Sequence, residues 1–520
     1  MNKSYVKSLK DEKNTSEYLV ENSALNYPES NYLDSKNLES DNLDSKRLNE
    51  LINEAKRMFN KILNYSLSPA TMKPHEFEKT LFTLLLGLGR IFLEIFFNTF
   101  GNGNEGKSIT TDDGRVLKRY RKRSRDYVSV FGKLQINRWL YWSKGSMGVF
   151  PLDERLNLPE RSYSYHLQEL LTGNCADLTY DSTLKRIEDM FAIKLSPRSI
   201  IDILQDVNRH SENFRDTQAP PPAADEGEIQ VVSADGKGIP MRKEHLAEKK
   251  PRLKKGEKNQ KKKMSLLTAV FSVDRNIRTA DDILKGEKDK KSSRSRCKRY
   301  RGCLGDKLQK NELMKKVSSD AGKREAKHQV TKVFLSDGEK FLRKLQQDHF
   351  PDHIPILDIY HVSEKLWEYA HCFFKEGSVK SAQHVNLLYR MLLEGNTTGC
   401  IYAMKASGQR NGVSENRRKK IESIVGYLEE NKDRMRYNKY IAKGLPIGSG
   451  VIESSCKVLV KQRMEGAGMR WSKSGADAML SLRAISLNGD LSEYFNHHIR
   501  REHKRLYDKT STMILAESTA

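Results

Sequence analysis

Two apolar segments typical of buried strands each lead directly into an aspartate followed by glycine. One begins at Ile229 and reaches Asp235, and the other begins at Val333 and reaches Asp337. Short runs of β-branched and aliphatic residues bounded by turn residues predict strands. Because helical patterns separate the strands that follow, these two segments predict an α/β domain and constrain the fold more than any other feature.

The order of the surrounding patterns predicts a ribonuclease-H-like α/β domain with an all-helical insertion, preceded by a mostly helical region. Further strands are expected at Ser265–Asp274 and Ile354–Ile359, and one more within residues 275–300. The predicted division is a disordered polar lead (1–46), a helical and hairpin region (47–217), a proline-rich linker (218–228), the first part of the α/β core (229–361), the helical insertion (362–443), the last part of the core (444–495) and a C-terminal tail (496–520).

The chain is strongly basic, with 92 Lys and Arg against 68 Asp and Glu and a formal net charge of +24. Such a charge predicts attraction to a polyanion, and clustering favours nucleic acid over a merely solvated basic face. Three basic blocks lie at 118–125, 249–263 and 285–301. We therefore expect double-stranded DNA as the partner.

Residues 47–217 are therefore expected to form a DNA-binding region, and two patterns in it are candidates for DNA contact. Residues 181–207 have the apolar spacing of two short helices around a tight turn, which is compatible with a helix-turn-helix that places Arg198 and Ser199 near DNA. Any helical hairpin has the same pattern, so the alternative stays open. The alternating residues after the block at 118–125 predict a β-hairpin, with Gly132-Lys133 between its strands.

Cysteine usage and hydropathy predict a cytoplasmic protein. The six cysteines include no Cys-x-x-Cys pair, and Met1–Tyr5 lacks the apolar core of a signal peptide. The apolar run Leu81–Phe100 approaches membrane length but contains Arg90 and Glu94. Charges at mid-span are costly in lipid, so we predict a buried helix at Glu76–Phe97 and no membrane partner.

A resemblance to a known family is carried by five motifs. The chain resembles bacterial insertion-sequence transposases of the DDE type, close to the ISKra-type group and related in layout to Mutator-like elements. The likeness covers roughly residues 110–485, and its most specific part is the block that begins at Gly444. The motifs are Ser233–Met241, Leu335–Gly338, Leu357–Val362, Gly444–Lys457 and Gly468–Ser472.

The resemblance implies that Asp235, Asp337 and Glu453 form the catalytic triad and bind two Mg²⁺ or Mn²⁺ ions. Carboxylate oxygens on a rigid sheet and a helix suit two-metal phosphoryl transfer. The implied activity is cleavage of transposon ends and their transfer to target DNA. Family members act as synaptic oligomers, so at least a dimer is expected.

Four further residues are candidates for supporting roles. Asp358 and His361 are expected to position DNA or support the metal ligands, although Asp358 also ends a strand and could replace Asp337 as the second ligand. Their alternative role is a structural pair. Lys457 and Arg470 are candidate phosphate contacts, and Lys457 could instead pair with Glu453 on the helix surface.

Two other functions remain open at this point. A catalytically inactive DNA-binding protein derived from a transposase would keep the basic surface and lose the metal. Another ribonuclease-H-like nuclease, such as a junction resolvase, would cut DNA without joining it.

Overall fold

The protein has a mixed α/β fold with two sheets. The computed structural model describes residues 41–67, 73–242, 262–285, 294–324, 331–410, 413–448, 450 and 456–508. The chain divides into two compact units, one ending at Asn102 and the other beginning at Gly103. Most of the predicted disordered lead and of the basic block at 249–263 lies outside the described residues.

The first unit contains two helices, α1 (Asp41–Leu67) and α2 (Pro74–Thr99). They pack through a small apolar cluster that includes Leu51 and Ile91. Helix α1 begins at Asp41, so the last residues of the predicted polar lead are helical.

The prediction that the apolar helix is buried was wrong. Helix α2 is long and apolar enough to cross a membrane, and only 17% of its most apolar window is buried. Apolar residues lie on all sides of α2, whereas α1 covers only one side. Phe82 and Phe92 therefore remain exposed. Arg90 and Glu94 pair at 3.6 Å near the middle of the helix.

The second unit begins with a three-stranded antiparallel sheet in the order β1-β2-β3. The predicted hairpin is present, but its turn is Val130-Phe131, two residues earlier than expected. Gly132, with φ of 107°, belongs to the return strand and pairs with Ser129. The strands are β1 (Ser108–Thr110), β2 (Val116–Ser129) and β3 (Gly132–Trp142).

Five helices follow, including the two that were predicted around the tight turn. Thr179 and Ser196 cap these two helices by accepting hydrogen bonds from backbone N–H groups at 3.1 Å. Ala192 ends the first of them in the left-handed conformation, with φ of 54°. The helices are α3 (Pro151–Arg155), α4 (Tyr165–Asp177), α5 (Tyr180–Phe191), α6 (Pro197–Asn208) and α7 (Ser211–Thr217).

The main sheet has five strands in the order β6-β5-β4-β7-β8. Strands β6, β5 and β4 are antiparallel, and β4, β7 and β8 are parallel. The additional strand expected within residues 275–300 is β6, which begins within that range and ends three residues beyond it. The strands are β4 (Ile229–Pro240), β5 (Lys262–Val273), β6 (Arg296–Cys303), β7 (Thr331–Ser336) and β8 (Ile354–Leu357).

Helices cover both faces of this sheet, and the elements described within residues 362–443 are helices joined by turns. Apolar side chains from the sheet, the insertion and the C-terminal helices form a continuous core. The helices are α8 (Ala280–Leu284), α9 (Lys307–Lys323), α10 (Lys340–His349), α11 (Ile359–Ala370), α12 (Val379–Leu393), α13 (Thr397–Gly408), α14 (Glu415–Glu430), α15 (Tyr437–Ala442), α16 (Gln462–Met464), α17 (Lys473–Leu487) and α18 (Leu491–Tyr507), with a π-helix at Cys456–Lys461.

The proline-rich segment at 218–228 ends in a buried ion pair. Glu226 accepts hydrogen bonds from Arg324 at 2.8 and 3.1 Å, and both residues are at most 5% exposed. Gly227 donates to Ser272 at 2.8 Å, and a methyl group at Gly227 would lie 2.6 Å from the backbone of Val273. The segment therefore ends fixed against the sheet, inside the second compact unit.

The C-terminal helix α18 runs through residues that were predicted as a tail. Its buried Glu502 accepts hydrogen bonds from Arg209 at 3.0 Å and from Arg505 at 2.9 Å, and it contacts His210 at 2.8 Å. His210, His498 and Glu502 offer ligand atoms within 4.8 Å of one another. Because two guanidinium groups already neutralise the carboxylate, this cluster serves to join α18 to the end of α6.

Acidification from pH 7 to pH 5 is expected to lower the free energy of unfolding by about 2 kcal/mol through His498 alone. Burial lowers the pKa of His498 to about 4 from 6.5, a shift that Glu502 opposes and His210, Arg209 and Arg505 enhance. The unfolded chain therefore binds the proton more tightly, and stabilisation present above about pH 6.5 is lost as pH falls toward the folded pKa.

Urea denaturation at pH 5, 6 and 7 measures this effect. The variant His498→Phe removes the titrating group and keeps an aromatic ring, so its stability should depend less on pH than that of the wild type. An unchanged pH dependence in the variant would show that His498 does not contribute.

Candidate active site

Register places three aspartates side by side at one edge of the parallel strands. Ala234 pairs with Ser336, and Ser336 pairs with Leu357. The next residue along each chain is Asp235, Asp337 or Asp358. Since neighbouring strands are about 4.8 Å apart, the sheet itself brings these residues together.

The first of these strands continues past its acid, close to the predicted strand Ile229–Ile239. Strand β4 continues to Pro240, because β5 keeps pairing with it as far as Lys262. Asp235 is therefore held within a strand and is half-buried. Its Oδ1 accepts a hydrogen bond from the N–H of Gly236 at 2.6 Å.

Asp337 lies in an electrostatic environment shaped by Asp235. Burial raises the pKa of Asp337 and the Asp235 carboxylate raises it further, whereas the Glu339 N–H, His361 and Arg434 lower it. The N–H of Glu339 donates to Asp337 Oδ1 at 2.9 Å. Two adjacent carboxylates repel each other, and a divalent cation between them would relieve this repulsion. Their oxygens are the hard ligands that Mg²⁺ and Mn²⁺ prefer, so the residues fit such an ion.

A third carboxylate near these two was not predicted. Burial raises the pKa of Glu339, and Asp337 and Asp235 raise it further. A methyl group at Gly236 would lie 3.7 Å from Glu339 Oε2, which places this oxygen beside β4. The adjacency of Asp337, Gly338 and Glu339 in the sequence was the signal that could have indicated it.

The helical insertion holds the loop that carries Asp337. Arg434, only 2% exposed, donates to the carbonyl oxygens of Asp337 at 3.2 Å and Ser336 at 3.3 Å and to the Ser336 hydroxyl at 2.8 Å. The N–H of Gly338 donates to the Tyr427 hydroxyl at 3.1 Å. A methyl group at Gly338 would lie 2.3 Å from the Tyr427 ring, so this position requires glycine. Neither Arg434 nor Tyr427 was predicted.

Asp358 is engaged in the local structure at the start of α11. It is 2% exposed, its N–H donates to the Ser336 carbonyl at 3.0 Å, and its Oδ1 accepts from the N–H of Tyr360 at 3.0 Å. Its Oδ2 lies 3.9 Å from His361 Nε2. These contacts favour Asp358 as a helix cap that supports the site.

Glu453 lies outside the described residues, between one segment that contacts the start of α11 and another that contacts the far end of β4. Before it, the Ile447 carbonyl accepts from the N–H of Ile359, next to Asp358. After it, Trp471 exchanges backbone hydrogen bonds of 3.0 and 2.9 Å with Pro240 and Arg242 at the end of β4. Lys457 and Arg470 are both exposed.

The predicted DNA-contacting residues of α6 are partly engaged by neighbours. The Arg198 side chain is 80% exposed and pairs with Asp202 at 3.1 Å. The Ser199 hydroxyl accepts from Tyr163 at 2.8 Å. Asp202 and Asp206 on this helix also pair with arginines, since Arg161 contacts both and Arg209 contacts Asp206. DNA contact by these residues stays a prediction.

Comparisons with known proteins give little further information. No protein-family model matches the chain. No curated protein matches it either. Among solved structures, the chain is similar to the Drosophila P element transposase strand transfer complex, with 12% identity over 63% of this chain and 80% of that chain. The TM-score is 0.21, and a likeness at this level carries no argument about function.

Proposed function

We propose that this protein is a DDE-type DNA transposase with a ribonuclease-H-like catalytic domain. The observation that carries the proposal is the placement of Asp235 and Asp337 on adjacent parallel strands, with Glu339 beside them. The strand order β6-β5-β4-β7-β8, with three antiparallel strands followed by two parallel ones, supports the fold. The motif block from Gly444 to Ser472 supports the insertion-sequence family, close to the ISKra-type group.

In this proposal, Asp235, Asp337 and Glu453 hold two Mg²⁺ or Mn²⁺ ions. The bound ions supply activation of water or of a DNA 3′-hydroxyl and stabilisation of the leaving oxygen. The protein's own contribution is rigidity, because register fixes Asp235 and Arg434 fixes the backbone at Asp337. Glu339 adds negative charge at the same edge of the sheet and is a candidate fourth carboxylate.

The substrate in this proposal is double-stranded DNA, both as the transposon end and as the target. The formal charge of +24 supports attraction to the phosphate backbone. Exposed Lys457 and Arg470 are proposed phosphate contacts near the site. Joining two transposon ends requires two active sites, so we also propose a dimer or larger oligomer.

Cleavage and joining of DNA that carries the ends of the flanking element test this function. The wild type is expected to nick and join this DNA with Mg²⁺ or Mn²⁺ and to stop when the metal is chelated. The variant Asp235→Asn should bind the same DNA and do neither. Binding without cleavage by the wild type under either metal would instead support a catalytically inactive DNA-binding protein, and cleavage without joining would support a resolvase-type nuclease.

A further inference from the structure

The hairpin formed by β2 and β3 is a long two-stranded ribbon with one face covered by its own chain. Its strands have 14 and 11 residues, which corresponds to a length of about 35 to 45 Å. On the covered face, Ile136 is buried and Arg125 and Arg138 both contact Asp153. Arg125 also donates to the carbonyl of Arg161 at 2.7 Å. These contacts hold the ribbon in place.

The opposite face of the ribbon is polar and exposed. Lys122 pairs in register with Trp139, and Ser124 pairs with Asn137, so these side chains point to the same side. Gln135, two residues before Asn137, shares that side. We define the exposed face of the ribbon by four exposed residues: Lys122, Ser124, Gln135 and Asn137. Asp126 and Lys133 share this side and pair with each other at 2.7 Å, so their charges offset each other.

Lys122 gives this face a positive charge, and no ion pair within the described part of the chain joins it to a carboxylate. Arg121 and Arg123 pair in register with Leu140 and Arg138, so they point to the opposite side of the ribbon, where both are exposed. The Lys122 ammonium lies 5.4 Å from the centre of the Trp139 ring, and the Arg119 guanidinium lies 4.8 Å from it. Cations held over an aromatic ring remain available to phosphate oxygens.

We infer that the exposed face of the ribbon enters the major groove of double-stranded DNA. The major groove admits a two-stranded ribbon, and side chains of the Lys, Ser, Asn and Gln types recognise base edges there. Arg119 and Lys122, which both lie over Trp139, then contact the flanking phosphates. A-form RNA has a deep and narrow major groove that side chains cannot read, which favours DNA. This inference rests on the proposed function only in stating which DNA molecule is bound, and the contact with the major groove does not depend on it.

Binding of the full-length protein to a fluorescent random-sequence 30-base-pair duplex tests the phosphate contacts. Lys122→Ala is expected to weaken binding about fivefold. The slope of the logarithm of the affinity against the logarithm of the salt concentration should become shallower by about one. The control Lys380→Ala removes the same charge from the exposed start of α12 and should change neither. Equal behaviour of the two variants, or preferential binding of duplex RNA by the wild type, would overturn the inference.

Sequence readout is tested with the duplex that the wild type selects from the random pool. Asn137→Ala and Gln135→Ala are each expected to lower the preference for the selected duplex about tenfold, with little change in binding to the unselected pool. The control Gln409→Ala, at an exposed position in the insertion, should keep the preference. A failure of the wild type to select any sequence, or an equal loss of affinity for both duplexes in the ribbon variants, would overturn base contact.

Methylation interference locates the groove. Methyl groups at guanine N7 lie in the major groove, so they should block binding by the wild type. Interference only from minor-groove adenine N3 would contradict the inference. These assays measure binding alone, so a wild type that binds through the ribbon and never cuts DNA would refute the proposed transposase and leave the ribbon contact standing.

Discussion

Replacing Asp337 by asparagine is expected to lower the rate of metal-dependent DNA cleavage about a thousandfold or more, because several kcal/mol of charge stabilisation depend on the bound ions. The side chain keeps its shape and can still accept the hydrogen bond from the N–H of Glu339. DNA binding should be retained. The measurement is the single-turnover rate of nicking a labelled duplex at saturating protein, with Mg²⁺ and again with Mn²⁺.

The matched control is Asp358→Asn, which tests the other candidate for the second ligand. Asparagine caps helices as well as aspartate does, so the start of α11 should remain intact. We expect the nicking rate of this variant to fall by about 10- to 100-fold, as for a residue that supports a metal site. If Asp358→Asn abolishes cleavage and Asp337→Asn retains it, the second ligand is Asp358 and our assignment is wrong.

Replacing Arg434 by methionine is expected to lower the free energy of unfolding by about 3 kcal/mol, because several buried oxygen atoms lose their donor. These atoms include the carbonyls of Ser336 and Asp337 and the Ser336 hydroxyl. Urea denaturation measures the loss. The nicking rate should also fall, since the loop that carries Asp337 loses its main support.

Two further variants separate the role of Arg434 from a general effect of charge. Arg434→Lys keeps the charge but lacks the planar fork, so it should recover only part of the stability. Arg343→Met removes an arginine that binds the Glu430 carbonyl and Asp433 at the protein surface, and it should cost less than about 1 kcal/mol. If Arg434→Met were no less stable than Arg343→Met, Arg434 would not be a support of the site.

The strands and the two aspartates were predictable because the relevant signals are local. Apolar runs located β4 and β7, and the parallel pairing of these strands brings Asp235 next to Asp337 without further information. The strand predicted at Ile229–Ile239 ends within one residue of β4, although Asp-Gly pairs are common in turns. Gly236 and Gly238 remain in the strand because β5 pairs with β4 over its whole length.

The supports of the site could not be predicted, because their contacts join residues far apart in the sequence. Arg434 and Tyr427 belong to the insertion and reach residues about ninety positions earlier. No local pattern distinguishes them from other polar residues on amphipathic helices. The exposure of α2 was missed for a related reason, because its hydropathy is a local property whereas burial depends on whether another element covers it.

In the proposed transposase, the buried pair of Glu226 and Arg324 would help to fix the distance along the DNA between the contacted sequence and the cut. Because the proline-rich segment is fixed to the sheet, the ribbon and the aspartates belong to one compact unit. In such a unit the distance between the ribbon and the aspartates is fixed. The cut should therefore fall a constant number of base pairs from the sequence that the ribbon contacts. If base pairs are inserted between the contacted sequence and the original cut site, the cut should stay at the same distance from the contacted sequence. It would therefore no longer fall at the original site.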